Sequence, residues 1–121
     1  MAEVFAEIYA ESVAKLFKVL GDVNRLRILL AIGKGERSVS EIIEATSLSQ
    51  TLVSFHLKAL RDTGIVTAER KGAFIYYRLA NVDLLDLISE FQGYTSKKTA
   101  ESEKAELPWP CPLIGKSFSE R

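Results

Sequence analysis

Along the first twenty residues, Phe5, Ile8, Tyr9, Val13, Leu16, Phe17 and Leu20 recur at three- and four-residue spacing. That period puts them on one side of an α-helix over residues 3–20, and Gly21 is its stop. Asp22 is placed to cap a second helix. There Val23, Leu26, Ile28, Leu29, Leu30 and Ile32 are dense enough to be largely buried, and Gly33-Lys34-Gly35 closes it. Ser38-Val39-Ser40-Glu41 sets a hydroxyl three residues before a carboxylate. This is the spacing of a reciprocal capping box, and it predicts a short third helix through Ala45. Thr46-Ser47-Leu48 makes a tight turn, and Ser49 caps a fourth helix. In it Val53, Leu57 and Leu60 face inward, while Gln50, Thr51, Ser54, Phe55, Lys58 and Arg61 fall mostly on the other side. Gly64 ends this helix as a C-terminal glycine cap.

The period then changes. Residues 65–69 and 74–79 are rich in β-branched and aromatic side chains and flank Arg70-Lys71-Gly72-Ala73, the pattern of a hairpin with a basic tip. Helical spacing returns over residues 82–94 through Leu84, Leu85, Leu87, Ile88, Phe91 and Tyr94. The expected fold is mainly α with a small β-hairpin, in the order α-α-α-α-β-β-α over residues 1–95. Residues 96–121 form a separate region, polar and charged at first. Leu107-Pro108-Trp109-Pro110-Cys111-Pro112-Leu113 then breaks any helix with its prolines and runs extended.

At 121 residues the chain has room for one domain of ordinary size. No apolar run approaches the roughly 18 residues needed to span a bilayer. Glu3, Glu7 and Glu11 stand where a secretory signal would be basic and then apolar. A lone cysteine builds no intrachain disulfide framework, which suits a reducing cytoplasm. The chain has no Ser-His-Asp set, no phosphate-binding glycine loop and a single histidine, so an enzyme is not expected.

Net charge is zero overall, but it is unevenly spread. Residues 49–78 hold five Lys and Arg (Lys58, Arg61, Arg70, Lys71, Arg78) against two acids (Asp62, Glu69), a local excess of three. Phosphate contacts need local positive charge rather than a basic protein overall. A capped short helix, a turn, a polar-faced helix with a glycine stop and a basic-tipped hairpin, in that order, make the layout of a winged helix-turn-helix. Its second helix enters the major groove of double-stranded DNA. The Gln50 amide can bond bidentately to adenine, Thr51 and Ser54 can donate or accept, and Phe55 can cover a thymine methyl. Lys58 and Arg61, further along, suit phosphates. Arg70 and Lys71 would reach a flanking backbone or minor groove. His56, beside Leu57, is expected to pack or bond locally. Taken singly, these pieces also read as an αα corner, a solvated helix face and a solubilising turn; their order carries the inference.

The run from Leu48 to Leu57, with Leu60, Gly64, Ile65-Val66, Gly72 and Tyr76-Tyr77-Arg78-Leu79, resembles the winged-helix core of the ArsR/SmtB family of repressors. Leu20-Gly21-Asp22-Val23-Asn24-Arg25-Leu26-Arg27-Ile28-Leu29 is similar to the start of that family's second helix. The likeness covers about residues 10–95. It implies a homodimer built on the first and last helices, with two recognition helices in successive major grooves of a palindromic operator. Phe5, Ile8, Tyr9, Leu84, Leu87, Ile88 and Phe91 are the expected interface residues, since two apolar helices at opposite ends of a small domain leave more apolar surface than one subunit covers.

The family's sensing sites do not carry over. Members that respond to arsenic or soft metals have a cysteine pair at the start of the third helix, where this chain has Ser38 and Ser40. Thiolates bind soft metals and neutral hydroxyls do not. The zinc-sensing set on the last helix falls on Asn81, Asp83, Tyr94 and Lys97, which supply one good ligand where about four are needed. No metal and no cofactor are therefore expected. Thiol-sensing members use two cysteines per subunit, and Cys111 is the only one here. It reads as an incidental tail residue or as a single-thiol redox site shared between subunits. The apolar tail is expected to pack on its own dimer or to cover a pocket. A winged-helix interaction module without DNA is the remaining alternative, and the sequence names no effector.

Overall fold

A computed structural model describes residues 2–95 of the chain. Its elements run α1 (Ala2–Leu20), α2 (Val23–Ile32), β1 (Arg37–Ser38), α3 (Val39–Thr46), α4 (Gln50–Asp62), β2 (Val66–Lys71), β3 (Phe74–Leu79) and α5 (Asp83–Phe91), then a 3₁₀ turn over Gln92–Tyr94. The expected order holds with one addition. β1 is a two-residue strand pairing antiparallel with β3, Arg37 opposite Tyr77 and Ser38 opposite Tyr76. The hairpin thus belongs to a three-stranded sheet in the order β1-β3-β2, with β3 at its centre. So short a strand leaves no periodicity in the sequence, and Ser38 also serves as the cap of α3. The last helix is shorter than the 82–94 expected, because its final turn tightens into the 3₁₀ segment.

Caps set the helix boundaries. The Asp22 carboxylate accepts from the backbone N–H groups of Asn24 (2.8 Å) and Arg25 (3.2 Å) at the start of α2. At α3 the capping box is complete: Ser38 Oγ accepts from Glu41 N–H at 3.2 Å, and Glu41 Oε1 accepts from Ser38 N–H at 2.9 Å. Both orphan donors are satisfied reciprocally. Ser38→Ala is therefore expected to lower stability by about 1 kcal/mol, read as a shifted urea midpoint at constant slope.

The core lies where α2, α3 and α4 meet the sheet. Ile28, Leu29, Ile32, Ile42, Val53, Leu57, Leu60, Val66 and Leu85 are its fully buried side chains, with Leu26, Leu30, Leu84 and Ile88 packed around them. Val23, expected inside, is 59% exposed. It opens α2 on the side opposite Ile28, Leu29 and Ile32, so the helical turn carries it away from the core. α1 differs from the other helices. Leu20 is buried and Val13 and Val19 are half-buried, but Val4, Phe5, Ile8, Tyr9 and Phe17 are exposed along it.

Candidate nucleic-acid interface

α3 and α4 meet through a turn closed by backbone hydrogen bonds. Ser47 stops α3 in the left-handed region (φ 59°), and its N–H donates to Ile43 C=O at 2.8 Å. The Thr46 hydroxyl donates to Ile42 C=O (2.7 Å) and accepts from Leu48 N–H (3.3 Å). Ser49 then caps α4, accepting from Leu52 N–H at 3.1 Å. The turn therefore fixes the angle between the two helices rather than leaving it to a loose loop.

α4 has two distinct faces. Val53, His56, Leu57 and Leu60 are buried on one. Gln50, Thr51, Ser54, Phe55, Lys58 and Arg61 are all exposed on the rest of its surface, as the spacing predicted. Phe55 is 61% exposed and touches only the edge of the neighbouring His56 ring among the aromatic contacts. Lys58 Nζ donates to Asp62 at 2.9 Å, one helical turn on. Arg61 takes part in no ion pair among the described residues.

His56 packs inside, as expected, but its bonding partners are not local: they lie at the start of α2. It is 5% exposed. Arg25 Nε donates to His56 Nδ1 at 3.3 Å, and Arg25 Nη1 donates to Val19 C=O at 3.2 Å. The Asp22 carboxylate lies 4.0 Å from His56 Nε2. Burial pushes the Asp22 carboxyl up, but the N–H groups of Arg25 and Asn24, together with His56 and the Arg25 guanidinium, outweigh it and hold it below the usual range. A lowered carboxylate pKa in the folded state stabilises the fold above the unfolded value, and this contribution is lost as pH falls through the folded value. The Asp22–Arg25–His56 tie joins the start of α2 to the inner face of α4. Sequence reasoning missed it, because Arg25 and His56 are 31 residues apart.

The end of α4 is a Schellman motif. Gly64 N–H donates to Arg61 C=O and Ile65 N–H to Leu60 C=O, both at 3.0 Å, with Gly64 at φ 79°. Ile65 and Leu60 are both buried, the apolar contact that accompanies this motif. β2 begins one residue later.

The hairpin corrects one expectation. Arg70 and Lys71 were placed in the turn; they lie in β2, paired with Ile75 and Phe74. The turn is only Gly72-Ala73, and Gly72 at φ 64° suits the first central position of a two-residue II′ hairpin. Alternation along the strand therefore sends the two cations to opposite faces. Arg70 shares a face with Ile75, Tyr77 and the buried Val66 and Leu79, and its Nε donates weakly to Gly72 C=O at 3.4 Å. Lys71 folds back over the Tyr76 ring (5.8 Å to its centroid) and ion-pairs with Glu36 at 2.6 Å. The Glu36 hydrogen bond raises the Lys71 pKa. Glu36 had not been singled out, because it precedes the strand that sequence reasoning missed.

Of the expected interface residues, Phe5, Ile8, Tyr9, Leu87 and Phe91 are exposed, whereas Leu84 and Ile88 pack against their own subunit's core. Phe17 meets Phe91 edge-on at 5.7 Å, joining α1 to α5. At the positions of the family's sensing sites, Ser38 is buried and occupied with capping α3, and Asn81 Oδ1 accepts from Asp83 N–H at 2.9 Å. Among the described residues no group of three His, Cys, Asp or Glu side chains could hold an ion, and no helix is long and apolar enough to cross a membrane. Lys97, Cys111 and the tail lie outside the described residues.

A capped helix with an exposed hydrogen-bonding face, held by a second helix and followed directly by a β-wing, defines a winged helix-turn-helix protein of the DNA-binding class. Residues 22–68 match the family model of the arsR family of bacterial regulatory proteins. The arsenical resistance operon repressor of Bacillus subtilis is 36% identical over 88 residues, covering 72% of this chain and 84% of that protein. The chain belongs to the ArsR family of transcriptional regulators.

Solved structures agree. The transcriptional repressor BigR of Xylella fastidiosa superposes with a TM-score of 0.68 at 30% identity, covering 81% of this chain and all (100%) of that one. The homodimeric winged helix-turn-helix DNA-binding domain Mb0332 of Mycobacterium bovis does so with a TM-score of 0.61 at 38% identity, covering 73% and 82%. The match spans only 40%, 64% and 58% of the length of three other curated relatives.

Proposed function

We propose that the protein is a homodimeric, sequence-specific DNA-binding repressor that reads a palindromic operator and works without the family's metal sites. The observation that carries this reading is the exposed face of α4. Its opposite face is fixed in the core, so Gln50, Thr51, Ser54 and Phe55 near the N-terminus are presented together, the end that meets base edges in this fold. Arg61 and Arg70 supply phosphate contacts. The exposed apolar residues of α1 and α5 supply the self-complementary surface of a two-fold dimer. Ser38, engaged in capping α3, and Asn81, whose Oδ1 accepts from Asp83 N–H, support the metal-free reading.

The test is binding to a duplex selected by the wild type from a random-sequence pool, measured by fluorescence anisotropy across a salt series. Affinity is expected to fall steeply as salt rises. Arg70→Ala should weaken binding and flatten the slope by about one per subunit. Negligible binding even at low salt would reject the function; an unchanged slope in the variant would remove the wing from the contacts.

A further inference from the structure

Both lysines of the reading surface are already neutralised within the subunit. Lys58 is held by Asp62 at 2.9 Å, and Lys71 by Glu36 at 2.6 Å. The arginines are not: among the described residues neither Arg61 nor Arg70 is in an ion pair. The two pairs have separate origins, one along α4 and one between the wing and the segment before β1. Both are substantially exposed, so a phosphate can compete for either lysine.

Resting on the DNA-binding reading above, we propose that Glu36 and Asp62 are specificity-determining residues: they hold Lys71 and Lys58 in reserve, so that only a correctly seated operator recruits them. The physical argument is a competition. A lysine that must leave a carboxylate to reach a phosphate gains little, because one ion pair replaces another and the abandoned carboxylate still repels the DNA. In a loose, nonspecific complex the phosphates are held at no fixed distance, and the lysines stay with their carboxylates. Nonspecific binding then rests on Arg61 and Arg70. In the seated complex the base contacts of α4 fix the phosphates, and the lysines exchange partners. The salt dependence follows: it counts the cations that displace counterions, so it is shallow on random DNA and steeper on the operator.

Glu36→Gln and Asp62→Asn remove the charge with little change of shape. An exposed pair of this kind corresponds to about two- to fivefold in an equilibrium constant. Each variant is therefore expected to bind a random-sequence duplex about two- to fivefold more tightly, with a salt slope rising toward that of the selected duplex. Affinity for the selected duplex should change less, so the specific-to-nonspecific ratio narrows. In a Lys71→Gln background the gain from Glu36→Gln should shrink to what loss of the Glu36 repulsion alone supplies, which separates release of Lys71 from that general effect. Equal gains on both duplexes, unchanged slopes on random DNA, or a Glu36→Gln gain left undiminished by Lys71→Gln would each overturn the proposal. A wild type that binds neither duplex would instead reject the DNA-binding reading itself.

Discussion

Ile8→Glu is expected to turn the protein from dimer into monomer and to weaken its binding to a selected two-half-site duplex by about 10²–10⁴-fold. Ile8 is exposed on α1, between Phe5 and Phe17, and contributes nothing to the core of its own subunit. A carboxylate there leaves the monomer folded, but in a symmetric interface it would be buried twice with no partner. Without the dimer each half-site is bound alone, and the effective concentration that links the second binding event to the first is lost. Sedimentation velocity checks the mass, circular dichroism the retained helix content, and anisotropy the affinity. A dimer that survives the substitution would move the interface off α1.

Replacing Gln50 and Ser54 together by alanine should cost about 2–6 kcal/mol of specific binding over the two half-sites, from about 1–3 kcal/mol for a good base contact in each. Both residues are exposed at the N-terminal end of α4, so the fold should not suffer. Binding to random DNA rests on phosphates and should barely change. If affinity for selected and random duplexes falls by the same factor, these side chains do not read bases.

Most of the fold was legible because its signals are local. The Ser38–Glu41 box, the Ser49 cap and the Gly64 stop each sit within a few residues of the boundary they set, and the alternation of Val53, Leu57 and Leu60 with polar positions fixes which side of α4 is buried. What was not legible depends on pairs distant in sequence. β1 is defined by Tyr76 and Tyr77, about forty residues on, rather than by its own two residues. Lys71 lies back along the wing because of Glu36, and His56 is buried beside Arg25 because α2 and α4 cross. The arginine and lysine of the wing looked equivalent as neighbours in a turn. Strand alternation, visible only once the turn shrank to Gly72-Ala73, gave them different faces and different partners.

The junction at Gly64 and Ile65 has a consequence for the range of operators the protein can accept. The recognition helix passes into β2 with three residues between them, locked by the hydrogen bonds to Leu60 and Arg61. Helix and wing therefore form a single bracket, and on the proposed reading the offset along the duplex between the bases read and the backbone gripped would be the same at every site. On the proposed reading, the footprint of each operator half would be set by this bracket, and the separation of the halves by the dimer helices.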